Sequence, residues 1–361
     1  MERKHYIDNL RWSAIMLLFP FHAAQVWCGE RGECSFYVWS HRDTAMYLFS
    51  NAVYPWFMTL LFVLAGMSFK YSMGRRTIKQ FIGERVRKLL VPLVFGVLFL
   101  VPIMTYIGEL WFNGYEGTYL GQYVLFFTKP TDLTGYRGGF TPGHLWFLLY
   151  LFIISLVSLG IVKVQEKLIP EPEKMKIPNF ITMLLFIPEW LCSYILDIGG
   201  KSIGQFMFLY LAGYYVITRE DVLSDIKKFR YIELTAWLIS GGTYLYTYCI
   251  AGMEGEWIKG VYMLFGWMGI LTLLGFGQVY FDKSSRLTKY MIGASFPVYI
   301  LHMPVLTVTA YFVMKLKQGV AVKFLMITVI SCIATFVLYE TVRRVPVLRS
   351  MFGISVKKKN G

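Results

Sequence analysis

His22, Glu189 and His302 each sit near the middle of a long apolar run, and each has a proline close by. An ionisable side chain at membrane depth is costly, so it marks chemistry or an internal pair. Pro20 precedes His22, Pro188 precedes Glu189, and Pro297 and Pro304 bracket His302. Proline removes a backbone donor and leaves a carbonyl open, which is tolerated where backbone lines a polar cavity. Three such coincidences predict one wet interior pocket. A neutral imidazole titrates near about 6.5 and can act as general base toward a hydroxyl.

Each group also has a plainer role. An intramembrane histidine can simply bond a neighbouring helix, and Glu189 can partner a buried cation or tyrosine. Ser295, Tyr299 and His302 share one helical face, a polar seam that packing explains as well as chemistry does. His144 is expected at the outer end of a span, with Trp146 beside it as an interfacial anchor or a substrate platform. No Gly-x-Ser-x-Gly elbow offers a serine nucleophile. No histidine and carboxylate spacing offers a metal site.

Arg11 stands eleven residues before His22. In an α-helix that separation is about 1100° of turn and roughly 16 Å of rise, so both side chains share a face. One would lie at the water boundary and the other near the midplane. Loop 70–88 packs seven cations, and Arg85 and Lys88 lie one turn apart. Such a pair clamps phosphates or snorkels to lipid headgroups. A base, cations and a cavity fit group transfer from a phosphate-bearing donor.

The elements that must position these groups are helices in a bilayer. The 361 residues are 56% hydrophobic and only 16% charged, with mean hydropathy +0.50. Soluble domains carry about 25% charged residues. Ten spans are expected, near 12–28, 46–69, 89–107, 142–162, 179–197, 203–218, 231–250, 258–281, 290–313 and 320–341, an all-α polytopic membrane protein. The first span lacks a cleavage site and is expected to stay. Residues 108–141 read as the one long loop. The Pro170–Pro178 stretch reads as a linker inside a single domain, 1–361.

Of the 36 Lys and Arg residues, 27 fall at the termini and in alternate loops, against eight in the loops between them. The positive-inside rule then puts both termini in the cytoplasm of a cell-membrane protein. It also accounts for most of the +14 charge without nucleic acid, the cations meeting anionic lipid instead. Of five cysteines, Cys192, Cys249 and Cys332 read as packing residues, while Cys28 and Cys34 share the first loop and can pair there.

Several motifs together resemble the membrane acyltransferase-3 family, and within it the glucan biosynthesis protein C-like branch. Tyr6-Ile7-Asp8-Asn9-Leu10-Arg11 with downstream His22 is similar to the family's opening motif. Phe81 through Pro92 resembles its Arg-x-x-Arg-Leu motif, with Lys88 at the second basic position. Lysine there keeps the charge and loses the bidentate geometry. Gly143 through Leu148 and Ser295 through Pro304 resemble two further signatures.

The resemblance implies acyl transfer, commonly acetyl or succinyl, from cytoplasmic acyl-CoA to a hydroxyl of an extracytoplasmic glycan or similar acceptor. His22 would be the catalytic histidine, as base or as acyl carrier, with Glu189 and His302 as further catalytic candidates. Arg11, Arg85 and Lys88 would hold the CoA phosphates, with Arg76 and Arg87 beside them. His144, Trp146 and Tyr299 are the candidates for the acceptor. No metal is expected, and a homo-oligomer is compatible with the sequence. The intramembrane His and Glu equally describe a proton-coupled transporter or flippase, although no inverted repeat is visible. A sensor that kept the fold without the chemistry is a third reading.

Overall fold

The computed structural model describes residues 4–29, 36–73, 76–129, 135–168 and 175–354. Among these the chain is helical, with one two-residue β-hairpin. Helix α1 (His5–Gln25) is followed by α2 (Thr44–Met73) and α3 (Ile78–Arg85). A π turn, Val86–Leu90, leads into α4 (Val91–Phe99), α5 (Val101–Phe112) and α6 (Tyr119–Thr128). A 3-10 turn, Gly143–Leu145, opens α7 (Trp146–Leu168). Short helices α8 (Asn179–Met183) and α9 (Phe186–Cys192) precede strands β1 (Asp197–Ile198) and β2 (Lys201–Ser202). Then come α10 (Ile203–Ala212), α11 (Glu220–Tyr244), α12 (Glu256–Tyr280), α13 (Arg286–Met314), α14 (Val320–Val342) and α15 (Pro346–Met351).

Among the described residues, six helical stretches are long and apolar enough to cross a membrane: Thr44–Met73, Ile78–Phe112, Gly143–Leu168, Glu256–Tyr280, Arg286–Met314 and Val320–Val342. They contain six of the ten expected spans. The run 12–28 lies largely in α1. The run 179–197 forms the two short helices α8 and α9, and 203–218 forms α10 with a π turn at Gly213–Ile217. The run 231–250 is the second half of α11 with a π turn at Leu245–Ile250. Residues 108–141 are not simply a loop. They hold the end of α5 and all of α6, which starts where the Thr118 hydroxyl accepts from Gly121 N–H at 3.1 Å. The pairing of Cys28 with Cys34 falls outside the described residues, because Cys34 is not among them.

The chain clusters into two compact units, each assembled from three stretches. The first comprises Met1–Ala14, Asn51–Ile82 and Tyr150–Thr288. Here α11 and α12 form its long hairpin, and Trp267 is fully buried, donating to the Thr182 carbonyl at 2.8 Å. At the crossing of α2 and α10 the backbones nearly touch. A Cβ on Gly66 would lie 1.9 Å from the Tyr210 carbonyl oxygen, so the residue must be glycine. Asn9 ties α1 to the end of α12, its amide donating to the carbonyls of Phe281 at 2.5 Å and Lys283 at 2.9 Å. Asn9 Oδ1 also accepts from Trp12 at 2.9 Å.

The second unit comprises Ile15–Ser50, Gly83–Leu149 and Lys289–Gly361. Two prolines leave carbonyls open in its helices, and donors distant in sequence close them. Pro102 cannot reach Leu98 O, and the Tyr123 hydroxyl donates to that oxygen at 3.1 Å. Pro304 cannot reach Ile300 O, and His144 does so instead at 2.9 Å. Glu109, 3% exposed, binds Lys129 at 2.7 Å and accepts from Asn113 at 2.6 Å. These contacts close the stretch between α5 and α6.

Candidate active site

The second unit brings three of the expected histidines into one cluster. His22, on α1, has its ring centroid 5.4 Å from that of His302, on α13. His144 lies 5.4 Å from His302 on the other side, edge to face. His302 and His144 are buried, whereas His22 is half-buried and forms the accessible edge of the three. Phe19 packs edge-on against His302 at 5.8 Å, and Phe36 stacks on His22 at 6.3 Å.

Each ring is fixed by one hydrogen bond. His22 Nδ1 meets Gln25 Oε1 at 2.6 Å, one turn along α1. An amide oxygen only accepts, so His22 carries its hydrogen on Nδ1 and leaves a lone pair on Nε2. That is the tautomer a general base needs, oriented by a second residue. His302 Nδ1 donates to Tyr299 O at 2.5 Å. His144 Nε2 donates to Ile300 O at 2.9 Å. The Tyr299 hydroxyl donates to His144 O, so two bonds fasten the 143–145 turn to α13. Gly143 makes that turn possible, with φ of 54° and Met104 only 2.8 Å from where a Cβ would stand.

The basic residues occupy different surroundings. Arg11, in the first unit, pairs with Asp8 at 3.1 Å and donates to Ser68 Oγ at 2.7 Å. Arg85 ends α3, half-buried, and Arg87 and Lys88 fall within the π turn. Val91 N–H bonds Val86 O there, and Pro92 supplies no hydrogen, which favours the wider turn. Lys88 is held 3.6 Å from Glu84. Arg76 is exposed, just before α3.

A family profile described as an acyltransferase domain matches residues 4–340. The chain belongs to the acyltransferase-3 family. The acyltransferase is 23% identical to the glucans biosynthesis protein C of Salmonella schwarzengrund (strain CVM19633), over 97% of this chain and 94% of the relative. The proteins of that name from Salmonella typhi and Salmonella typhimurium match with the same identity and coverage. No solved structure matches the chain.

Of the other expected residues of the acyltransferase, Tyr299 joins the three histidines, its ring centroid 5.7 Å from that of His302 and 5.8 Å from that of His144. Glu189 belongs to the first unit, 2% exposed, where Oε1 accepts from Gln205 at 2.9 Å and Oε2 has no partner. Trp146 is half-buried at the start of α7, edge-on to Phe147 at 6.4 Å. Tyr299 is buried, and its hydroxyl is spent on a backbone carbonyl rather than turned to a cavity. No group of three His, Cys, Asp or Glu among the described residues has metal-binding geometry.

Sequence reasoning passed over Gln25, although its place three residues after His22 puts it on the same helical face. It also passed over Glu233, inside the expected span 231–250. Glu233 is fully buried and neither carboxyl oxygen has a partner.

Proposed function

We propose that this protein is a membrane O-acyltransferase that moves an acyl group, acetyl or succinyl, from cytoplasmic acyl-CoA to a hydroxyl of an extracytoplasmic glucan or related glycan. On this reading ten segments cross the cell membrane and both termini are cytoplasmic, as the distribution of Lys and Arg supports. The observation that carries the reaction is His22, half-buried within an acyltransferase chain, with Nδ1 committed to Gln25 and Nε2 left to act.

His22 Nε2 removes the proton of the acceptor hydroxyl as its oxygen attacks the thioester carbonyl. The new C–O bond forms, the C–S bond breaks, and the CoA thiolate takes the proton back from His22. Arg11, Arg85 and Lys88, with Arg76 and Arg87 nearby, supply charge for the CoA phosphates. The names of the glucans biosynthesis protein C relatives support a glucan as acceptor.

The test is transfer of labelled acetyl or succinyl from CoA to a glucan by the purified protein. His22→Ala should lower turnover by about 100-fold or more. A folded His22→Ala protein with wild-type turnover would overturn the assignment. Label retained on the protein without acceptor would make His22 an acyl carrier rather than a base. Glucan flux in liposomes without CoA, and without acylation, would replace the enzyme with a carrier.

A further inference from the structure

Every imidazole hydrogen in the cluster is already used. Those of His302 and His144 go to the carbonyls of Tyr299 and Ile300, and that of His22 goes to Gln25. Three lone pairs remain, on His22 Nε2, His302 Nε2 and His144 Nδ1. The last two are buried and have no partner, on residues only 1% and 7% exposed. Buried polar atoms are nearly always matched, so these two call for an explanation. An acceptor-only cluster is complemented by an occupant that brings donors.

A proton relay does not fit. Each committed hydrogen faces an amide oxygen, which is far too weak a base to pass a proton on. As the rings stand, neither nitrogen has water-accessible surface, so an occupant reaches them only when the rings part. The part-exposed side of His22 is where an occupant arrives, and the His302 ring that carries the second lone pair is its neighbour, 5.4 Å away between centroids and tilted 32°.

We propose that His22 and His302 form a seat for two adjacent hydroxyl groups of the acceptor. One donates to His22 Nε2 and reacts, and its neighbour donates to His302 Nε2. The seat opens as the acceptor presses against the His22 ring. The neighbouring hydroxyl keeps its proton throughout. His302 is then a specificity-determining residue, and the acceptor class is a vicinal polyol rather than an isolated alcohol. This rests on the acyl-transfer reading above, and it adds a requirement that reading does not contain.

The test compares a cyclohexanediol with adjacent hydroxyls against its monomethyl ether, which keeps one reactive hydroxyl and the second oxygen but lacks the second donor. Labelled acetyl-CoA and succinyl-CoA serve as donors for the full-length protein. The wild type should favour the diol by about tenfold or more in kcat/KM. His302→Phe should lose more diol than ether turnover, collapsing the ratio, and His302→Gln, which keeps an acceptor near Nε2, should restore part of it. An absent preference, or the same ratio in His302→Phe, would overturn the seat. Equal loss with both acceptors would make His302 structural only. If neither acceptor is acylated by the wild type, the acyl-transfer reading is decided by the glucan assay above and the seat is decided without turnover. Thermal protection without donor then decides the seat. The diol should raise Tm more than the ether in the wild type and not in His302→Phe, and equal protection would overturn it.

Discussion

His144 donates from Nε2 to the carbonyl oxygen of Ile300 at 2.9 Å, the oxygen that Pro304 leaves without a helical partner. A side chain that resembled an acceptor-binding residue in sequence is therefore also the missing rung of a helix. Replacing it by phenylalanine should cost about 1–3 kcal/mol, the penalty of a buried unmatched carbonyl. Pro304→Ala returns an N–H to that oxygen, so the double variant should be less destabilised than the sum of the two singles. Denaturant unfolding in detergent measures all four members of the cycle. Strict additivity would remove the link.

Gln25 holds the tautomer of His22 through the 2.6 Å contact at Nδ1. Gln25→Leu leaves that hydrogen unmatched and allows the ring to present the wrong nitrogen. We expect kcat to fall on the order of tenfold or more, with little change in KM for either substrate. Steady-state kinetics read the split. A change confined to KM would assign Gln25 to binding instead.

Acyl-CoA binding should depend on salt through the basic segment. Arg85→Ala and Lys88→Ala should each weaken it more at low ionic strength than at high, because phosphate contacts are screened. Glu84 competes for Lys88 at 3.6 Å, so Glu84→Gln should tighten binding at low salt. Titration calorimetry across a salt series would show this, and three salt-independent affinities would move the clamp elsewhere.

Outside the apolar segments, Asp221 at the start of α11 accepts from Arg219 at 2.8 Å and from Ile177 N–H at 3.1 Å. The Arg219 hydrogen bond and the backbone donors hold its carboxyl down to about 2. A depressed carboxylate stabilises the fold at pH above its unfolded value of about 3.9, and that contribution is lost as pH falls toward 2. The wild type should lose Tm over this window by more than Asp221→Asn, which has no proton to gain. Parallel acid melting curves would contradict the linkage.

The histidines of the candidate site were legible in the sequence because their signals are local. His22 and His302 stood out by depth, and Pro304 announced an open carbonyl beside His302. Which donor would close it was not legible, since His144 is 156 residues away. The α-helical period also misleads beyond Val86. A π turn holds an extra residue, so Arg85 and Lys88 do not stack as an unbroken α-helix would have them. Asn9 lies inside the opening motif, and its amide fastens α1 to the end of α12, a contact that no local pattern encodes. Glu189 shared the proline signature with the two histidines and nevertheless belongs to the other unit, because a shared local signature does not specify which helices pack together.

The order of synthesis gives the His144 and Ile300 contact a further meaning. The ribosome makes the donor 156 residues before the acceptor. When α13 enters the membrane, the carbonyl exposed by Pro304 meets a partner that the chain already holds. A polar gap in a late helix is thereby closed by an early one, and defects at residue 144 should register first as poor insertion yield of the newly made chain.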